Sequence, residues 1–238
     1  MTLLEAVQDF TAEIGFDRPN IIVSSTDAQI KQFQGIANMV CADVVMRPRW
    51  QALTRKASWN ALANVFQGSL SDLTDEGFRG IIPKTLWNET TQEQYLGPLT
   101  AEQRAERDGG NLSYPDLCYY VANNGLYLTE APTAGDDFSF QYHSAAIVQD
   151  ADTATTFKRT FTKDNDVFLL DPNILKFGLH YFWRLTKGLP YAEFKRMYEQ
   201  QVSSAKSVDA PPVALAMHGS NLLAKPSIQV PAGSWNIS

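Results

Sequence analysis

No apolar run in this 238-residue sequence reaches the ~18 residues that a helical membrane span requires. Cysteine is scarce: Cys41 and Cys118 are the only two, and neither stands in a C-x-x-C spacing. That leaves no redox or zinc signature, and both read as small buried hydrophobes. The three histidines, His143, His180 and His218, each lack a second ligand three or four residues away. Positive charge is short as well: 20 Lys and Arg face 26 Asp and Glu, for a net charge of −6. A tight nucleic-acid binder needs a clustered basic face to neutralise phosphates, so that class is disfavoured. An acidic chain does suit a protein past which DNA must slide without sticking. There is no G-x-S-x-G, no phosphate loop, no H-E-x-x-H and no dinucleotide fingerprint. Asp108, Gly109 and Gly110 read as a turn. The sequence calls for no cofactor, no metal and no catalytic group.

What is present is the composition of an ordinary globular protein. A hydrophobic content of 44% and a charged content of 19% exclude wholesale disorder. The length allows one or two domains and a core that needs no disulfide. Glu5 and Asp9, within the first amphipathic turns, do not fit a signal peptide. The chain is therefore expected to be soluble and made in the cytoplasm.

Helical signals sit at both ends. Thr2 and Glu5 form a capping-box pair, and Leu3, Val7, Phe10 and Ile14 follow at helical spacing until Gly15. This predicts a helix over 2–15. Thr26 with Gln29 is a second box, and Ile30, Phe33, Ala37, Val40 and Val44 predict a helix over 26–46 that Arg47-Pro48 ends. Asp171-Pro172 opens a third helix with Leu175, Gly178, Leu179, Phe182 and Leu185 on one face, closed by Gly188. A fourth begins after Pro190 and turns Phe194, Met197, Tyr198, Val202 and Ala205 inward. Phe10, Phe33, Val40, Leu179, Phe182 and Met197 are the expected core of these four helices.

The middle has a different period. Ala122-Asn123-Asn124-Gly125 between two β-prone runs predicts a hairpin, because Asn and Gly tolerate positive φ. Phe138, Phe140 and Tyr142 alternate with Ser139 and Gln141, as a half-buried strand does. Residues 155–161 predict another strand. Thr100 and Gln103 form a box before a polar stretch, which predicts a short exposed helix to Asp108. The expected class is α+β: a helical bundle built from the N- and C-terminal helix pairs (1–48 and 171–209), a β-rich insert (49–170) and an extended arm (210–238). The arm carries Leu222, Leu223, Ile228, Val230, Trp235 and Ile237 among prolines that prevent regular structure. An apolar arm of that kind suits docking on a partner, and those six residues are the candidate partner-binding set.

Charge is split along the chain. Residues 1–46 hold six acids against Arg18 and Lys31, whereas 172–209 hold six bases against Glu193, Glu199 and Asp209. The helix pairs can attract each other within one subunit or around a ring of subunits. Two other readings stay open. The pairs Asp75/Glu76 and Asp136/Asp137 lie in loops, and two acids across a cleft would make a wall-degrading hydrolase. Trp50, Trp59 and Trp87 lie in the β-rich region; core packing or a subunit contact accounts for them, and stacking on sugars or bases is the alternative.

Several motifs recur in a familiar order. Leu3-Leu4-Glu5-Ala6-Val7 opens the first helix and Gly15 closes it; Trp50 stands just after the second. The stretch from Asn124 to Tyr142 carries Gly125, Leu126, Leu128, Pro132, Gly135 and Tyr142. The closing helices carry Trp183, Lys187-Gly188-Leu189, Tyr191 and Tyr198-Glu199 after Asp164 and Asp171. In this order they resemble the head-to-tail adaptor (connector) proteins of tailed bacteriophages, particularly the short-tailed ones. The chain keeps one proline, Pro132, where the family carries two, and Gly80-Ile81-Ile82-Pro83-Lys84 stands in place of a Y-x-L-P-x-D-F strand. The resemblance implies a homo-oligomeric ring, commonly dodecameric, below the portal vertex of a virion assembled in the host cytoplasm. Its partners would be the portal protein, other copies of itself, and tail tube, nozzle or fibre proteins. Genomic DNA would pass through the channel without specific binding, and no membrane would be involved.

Overall fold

The computed structural model describes residues 1–47, 49–109 and 117–209. The expected arm, with its six candidate docking residues, lies outside the described residues, as do His218, Gly110 and Pro48. The described chain is mixed α+β, with six α-helices and antiparallel sheets.

Helix α1 (Leu3–Glu13) begins as its capping box dictates. The Thr2 hydroxyl accepts the Glu5 amide, and the Glu5 carboxylate accepts the Thr2 amide. Helix α2 (Ala28–Met46) is capped by Asp27, whose carboxylate accepts the Gln29 amide, and not by Thr26 as expected. The carboxylate one residue later captures the same orphan donors with a full charge, which favours it over a hydroxyl. Helix α3 (Leu70–Leu73) is a single turn. Helix α4 (Ala101–Asp108) has the predicted Thr100/Gln103 box and buries nothing. Helix α5 (Pro172–Thr186) starts on the Asp171 cap, and α6 (Ala192–Asp209) returns after Gly188, whose φ is +68°.

Helix α5 is the hub of the helical part. It packs against α1, α2 and α6, and its stripe of Ile174, Leu175, Gly178 and Leu179 is buried. Phe10, Phe33, Val40 and Leu179 are fully buried, each large apolar side chain being worth about 1.5–3 kcal/mol. Phe182 and Met197 are only half-buried, against expectation. Helix α6 buries just Tyr198 and Val202, so it sits outside α5 and leaves its other apolar residues at a rim. Gly178 is where α2 and α5 approach: a Cβ there would lie 2.7 Å from both Val40 methyls and 3.2 Å from the Tyr198 ring.

The β-rich region forms three sheets. In the largest, β8 (Asp137–Ser144) is the spine. Strand β1 (Thr54–Asn60) pairs along one edge of it. Strands β3 (Phe78–Ile81) and β4 (Leu86–Asn88) share the other edge, and β5 (Glu93–Tyr95) pairs with β4. Phe138, Phe140 and Tyr142 all point to one face, where they meet Ala57, Ile81, Leu86 and Tyr95 in a core separate from the helical one. A second sheet orders β2 (Phe66–Ser69), β7 (Gly125–Leu128) and β6 (Tyr119–Ala122), with Asn123 and Asn124 at φ +48° and +58° in the predicted hairpin turn.

The third sheet is small: β9 (Val148–Gln149) pairs with both β10 (Phe157–Lys158) and β11 (Val167–Phe168). The strand expected over 155–161 is thus two residues long, because β9 offers only two partners. What holds this segment is charge. The Asp166 side chain is fully buried and accepts the amides of Ala151 (3.1 Å), Thr162 (2.8 Å) and Lys163 (2.8 Å) and the Lys158 ammonium at 2.7 Å. Asp150 takes the ammonium groups of Lys158 (2.7 Å) and Lys163 (2.9 Å). Ile147, Val148, Phe161 and Phe168 from this segment join the helical core.

Two outcomes follow. Gly178→Ala should destabilise the protein by about 1 kcal/mol or more, since overpacking costs about 1–3 kcal/mol against a helix-propensity gain of at most about 1. A urea midpoint that falls with m unchanged would show it; an unchanged midpoint would mean that α2 and α5 do not approach this closely. Asp166→Asn should cost roughly 3–5 kcal/mol by stranding buried partners, towards the low end because Asp150 still holds Lys158. Burial alone would raise the Asp166 carboxyl, but Lys158 and the three amides outweigh it and hold it below the ordinary carboxylate range. Asp150 is depressed too, by Lys158 and Lys163. Folded values below the unfolded ones mean stability that is present above the ordinary aspartate pKa and lost as pH falls through the folded values. Acid titration followed by circular dichroism should therefore show a shallower low-pH loss in Asp166→Asn than in the parent.

Candidate functional site

Three surface features stand out from the packed interior. The first lies where α6 ends. The Asp209 carboxylate accepts the amides of Gln51 (2.6 Å) and Ala52 (2.8 Å), which start a single 3-10 turn at Gln51–Leu53. Lys206 lies 5.1 Å above the Trp50 ring and donates to the Arg49 carbonyl. Trp50 is itself buried, with its indole N–H on the Val44 carbonyl at 3.1 Å. A cleft of about 410 Å³ beside it is lined by Ala52, Leu169, Leu170, Ala205 and Val208, and Val208 is 85% exposed. Residue 209 is thus held on the body of the subunit, next to an apolar cleft, at the point where 210–238 continue.

The second is the split charge of the helices. Part of it is neutralised inside the chain. Glu13 pairs with Lys176 and with His180, whose Nε2 lies 2.9 Å from the carboxylate. Arg47 joins Asp43 (2.9 Å) to Glu199 on α6, and the Tyr198 hydroxyl donates to Asp43 at 2.7 Å. What remains at the surface is net acidic on the N-terminal side (Glu5, Asp9, Asp17 and Asp27 against Arg18 and Lys31) and net basic on α5–α6 (Lys187, Lys195 and Arg196 against Glu193). Leu185, Leu189 and Tyr191, each 39% exposed, add an apolar margin at the α5–α6 turn.

The third is the outward face of the large sheet. A groove of about 790 Å³ runs over it, with Trp87, Ser139 and Gln141 in its lining. Sequence reading singled out Trp87 and, separately, Asp137 and the alternating Ser139 and Gln141, but nothing in it brought them together with Lys56, Lys84, Glu89 and Gln92. A row of rings on the β2-β7-β6 sheet was likewise not anticipated: Phe66 meets Tyr127 at 5.1 Å, and Tyr127 stacks on Tyr120 at 5.0 Å and 3°. Two-residue alternation around Tyr120 and Tyr127 was the signal available.

The remaining candidates are structural. Asp75 accepts Ser144 and the Gly77 amide and pairs with Arg55, while Glu76 accepts the Arg159 amide. Asp136 accepts Asn88 and Asp137 accepts Asn60, each at 2.8 Å. Neither carboxylate pair is brought together across a cleft. Trp59 packs on Phe138 and Phe140, each at 5.5 Å. His143 is half-buried near Arg49, Lys206 and Arg79, and burial followed by those charges lowers its pKa. Cys41 is buried and its thiol is pushed up to about 12; Cys118 is buried as well, and neither forms a disulfide. Among the described residues there is no group of three or more metal-ligating side chains, and no helix is long and apolar enough to cross a membrane. No family model and no curated protein matches this chain.

His180 gives a direct check on the helical interior. It is stacked on Phe194 at 5.2 Å and lies edge-on to Phe10 at 4.8 Å. Burial lowers its pKa, and Glu13 only partly reverses this. A depressed folded value means that the imidazole is neutral at pH 7, and that stability present above the unfolded value near 6.5 declines as pH falls below it. An NMR titration of the imidazole protons should give a midpoint below 6.5 for the folded chain. A midpoint above that value would mean that Glu13, not burial, controls the site.

Proposed function

We propose that this chain is a structural head-to-tail adaptor of a tailed bacteriophage. In this reading copies assemble side by side into a ring, dodecameric in the commonest arrangement, beneath the portal. The ring extends the DNA channel and gives the tail tube, nozzle or fibre proteins a platform. The helices from the two ends of the chain are its body, a bundle into which the β-rich segment is inserted. Residues 210–238, with Leu222, Leu223, Ile228, Val230, Trp235 and Ile237, form the arm that engages the portal or a neighbouring copy.

The observation that carries this reading is the closure of the two chain ends onto each other. Helix α5 packs on α1 and α2, although more than a hundred residues separate them, and the β sheets have a core of their own. That agrees with the order of motifs in the sequence. The residual charge supports it too. Exposed acids on the N-terminal side and exposed bases on α5–α6 suit heterologous contacts, in which one face of a copy meets the opposite face of the next. The clefts beside Trp50 supply apolar surface next to the start of the arm.

Cryo-electron microscopy of the virion that contains the chain tests the proposal. A ring of copies between the portal and the tail is expected. A chain absent from purified particles, or placed elsewhere in them, would overturn it. Removal of 210–238 should leave a folded protein whose retention on portal-bearing heads is lost. Association should also slow as ionic strength rises, because complementary charge acts mainly on encounter rates.

A further inference from the structure

We propose that the groove on the outward face of the large sheet is a binding site for a neutral oligosaccharide chain. This inference concerns a surface that the adaptor reading leaves without a role, and it stands independently of that reading.

The register of the sheet builds the site. Trp87 of β4 is opposite Ser139 of β8 on one side and Gln94 of β5 on the other, so all three share the face turned away from the aromatic core. On β1, Lys56 is opposite Gln141 and Ser58 opposite Ser139, which extends the same face. The β4–β5 turn raises Glu89, Thr90 and Gln92 as one wall, and Lys84 and Thr85 close another. The result is an open trough with an indole half-buried in its lining.

Its chemistry selects the ligand class. Two cations, Lys56 and Lys84, balance two anions, Glu89 and Asp137, so the groove has no net charge with which to hold a polyanion or a cation. The other lining groups are hydroxyls and amides: Thr85, Asn88, Thr90, Gln92, Ser139 and Gln141. An indole beside hydroxyl- and amide-bearing side chains, with the Gln141 amide left to bond a ligand, suits a sugar ring, which is apolar on its C–H face and hydroxylated at its rim.

The site is also pre-organised. Lys56 donates to Glu89 at 2.6 Å, Ser139 donates to the same carboxylate at 2.6 Å, and Gln92 donates to the Glu89 carbonyl at 2.5 Å. Thr85 is fixed between the Ile82 carbonyl and the Gln141 amide. Among the described residues the side chains of Gln141 and Lys84 carry no hydrogen bond or ion pair and remain available to a ligand. Lys56 and Ser139 also hold the Glu89 carboxyl below the ordinary range.

Titration of the full-length, ¹⁵N-labelled protein with chitohexaose, cellohexaose and maltohexaose tests this, with heparin as the polyanion control. The five tryptophans give five indole N–H signals, and Trp87→Phe assigns the one that matters. At least one neutral hexasaccharide should shift the Trp87 signal saturably and leave the Trp50 and Trp183 signals in place. Trp87→Ala should weaken binding about tenfold or more, as removal of an anchoring aromatic does. Gln141→Ala, an exposed change that leaves the fold intact, should weaken it by a smaller factor. Three results would each overturn the proposal: no shift with any of the three sugars, shifts unaffected by both substitutions, or a response to heparin alone.

Discussion

The described fold depends on a buried loop carboxylate, Asp166, and on the backbone around it. Its side chain gathers three amides and one ammonium, which fixes the path of residues 162–168. That path then supplies acceptors to the N-terminus of α1. The Asp166 carbonyl takes the Leu3 amide at 3.1 Å, the Asp164 carbonyl takes the Leu4 amide at 3.0 Å, and the Thr2 hydroxyl takes the Glu5 amide. Two of the first-turn donors of α1, which every helix leaves orphaned, are therefore satisfied from a loop about 160 residues away in sequence, and the third by the local cap. The Asp164 carboxylate also accepts the amides of Ile22 (3.1 Å) and Val23 (2.8 Å), which pins the connection between α1 and α2. An uncompensated charge at this position would cost several kcal/mol. Satisfied as it is, the loop ties helix α1, the α1–α2 connection and the small sheet into one unit.

That arrangement explains which parts of the molecule could be read from the sequence. The capping boxes at Thr2/Glu5 and Thr100/Gln103, the Asn123-Asn124 turn, the Asp171 cap and the Gly188 stop are side chain-to-backbone or φ effects within about four residues. Their energetics are local, so the sequence carries them directly. The Thr26 cap failed at the same scale, because the neighbouring Asp27 competes for the same donors with a better acceptor. Asp166 carries no such local mark. Its partners Ala151 and Thr162 look like ordinary loop residues, and Lys158 like any polar strand residue, until β9 folds back. The groove is still less legible: Lys56, Trp87 and Ser139 become neighbours only once β8 has paired with both β1 and β4. Phe182 shows the limit of periodicity, which finds the apolar face of α5 but not how far its neighbours cover it.

The electrostatic asymmetry of the chain divides into two parts with different consequences. Glu13 with Lys176, and Asp43 with Arg47 and Glu199, are contacts at or near the α1–α5 and α2–α6 junctions, where partial burial reduces screening. They orient the helices more than they stabilise them, since desolvation offsets much of the Coulomb attraction. The exposed remainder is screened within about 8–10 Å at physiological salt. It contributes little to the stability of an isolated subunit. In the ring proposed above, its role would be to bring two copies together in one orientation.

The separation into two hydrophobic cores has a further consequence. The helical core takes Ile147, Val148, Phe161 and Phe168 from the β-rich segment, while the large sheet keeps Phe138, Phe140 and Tyr142 for its own core. An antiparallel sheet with one face buried must present the other to solvent, and polar residues alternate onto that face as a matter of register. Alternation alone yields a flat polar surface. Here that face is not flat: residues of the β4–β5 turn, Glu89, Thr90 and Gln92, line a trough with Lys56, Trp87, Ser139 and Gln141 from β1, β4 and β8. The walls of the groove therefore come from elements that do not contribute to the helical core. None of the groove residues belongs to the helical core, so substitutions there leave the packing of α1, α2, α5 and α6 untouched.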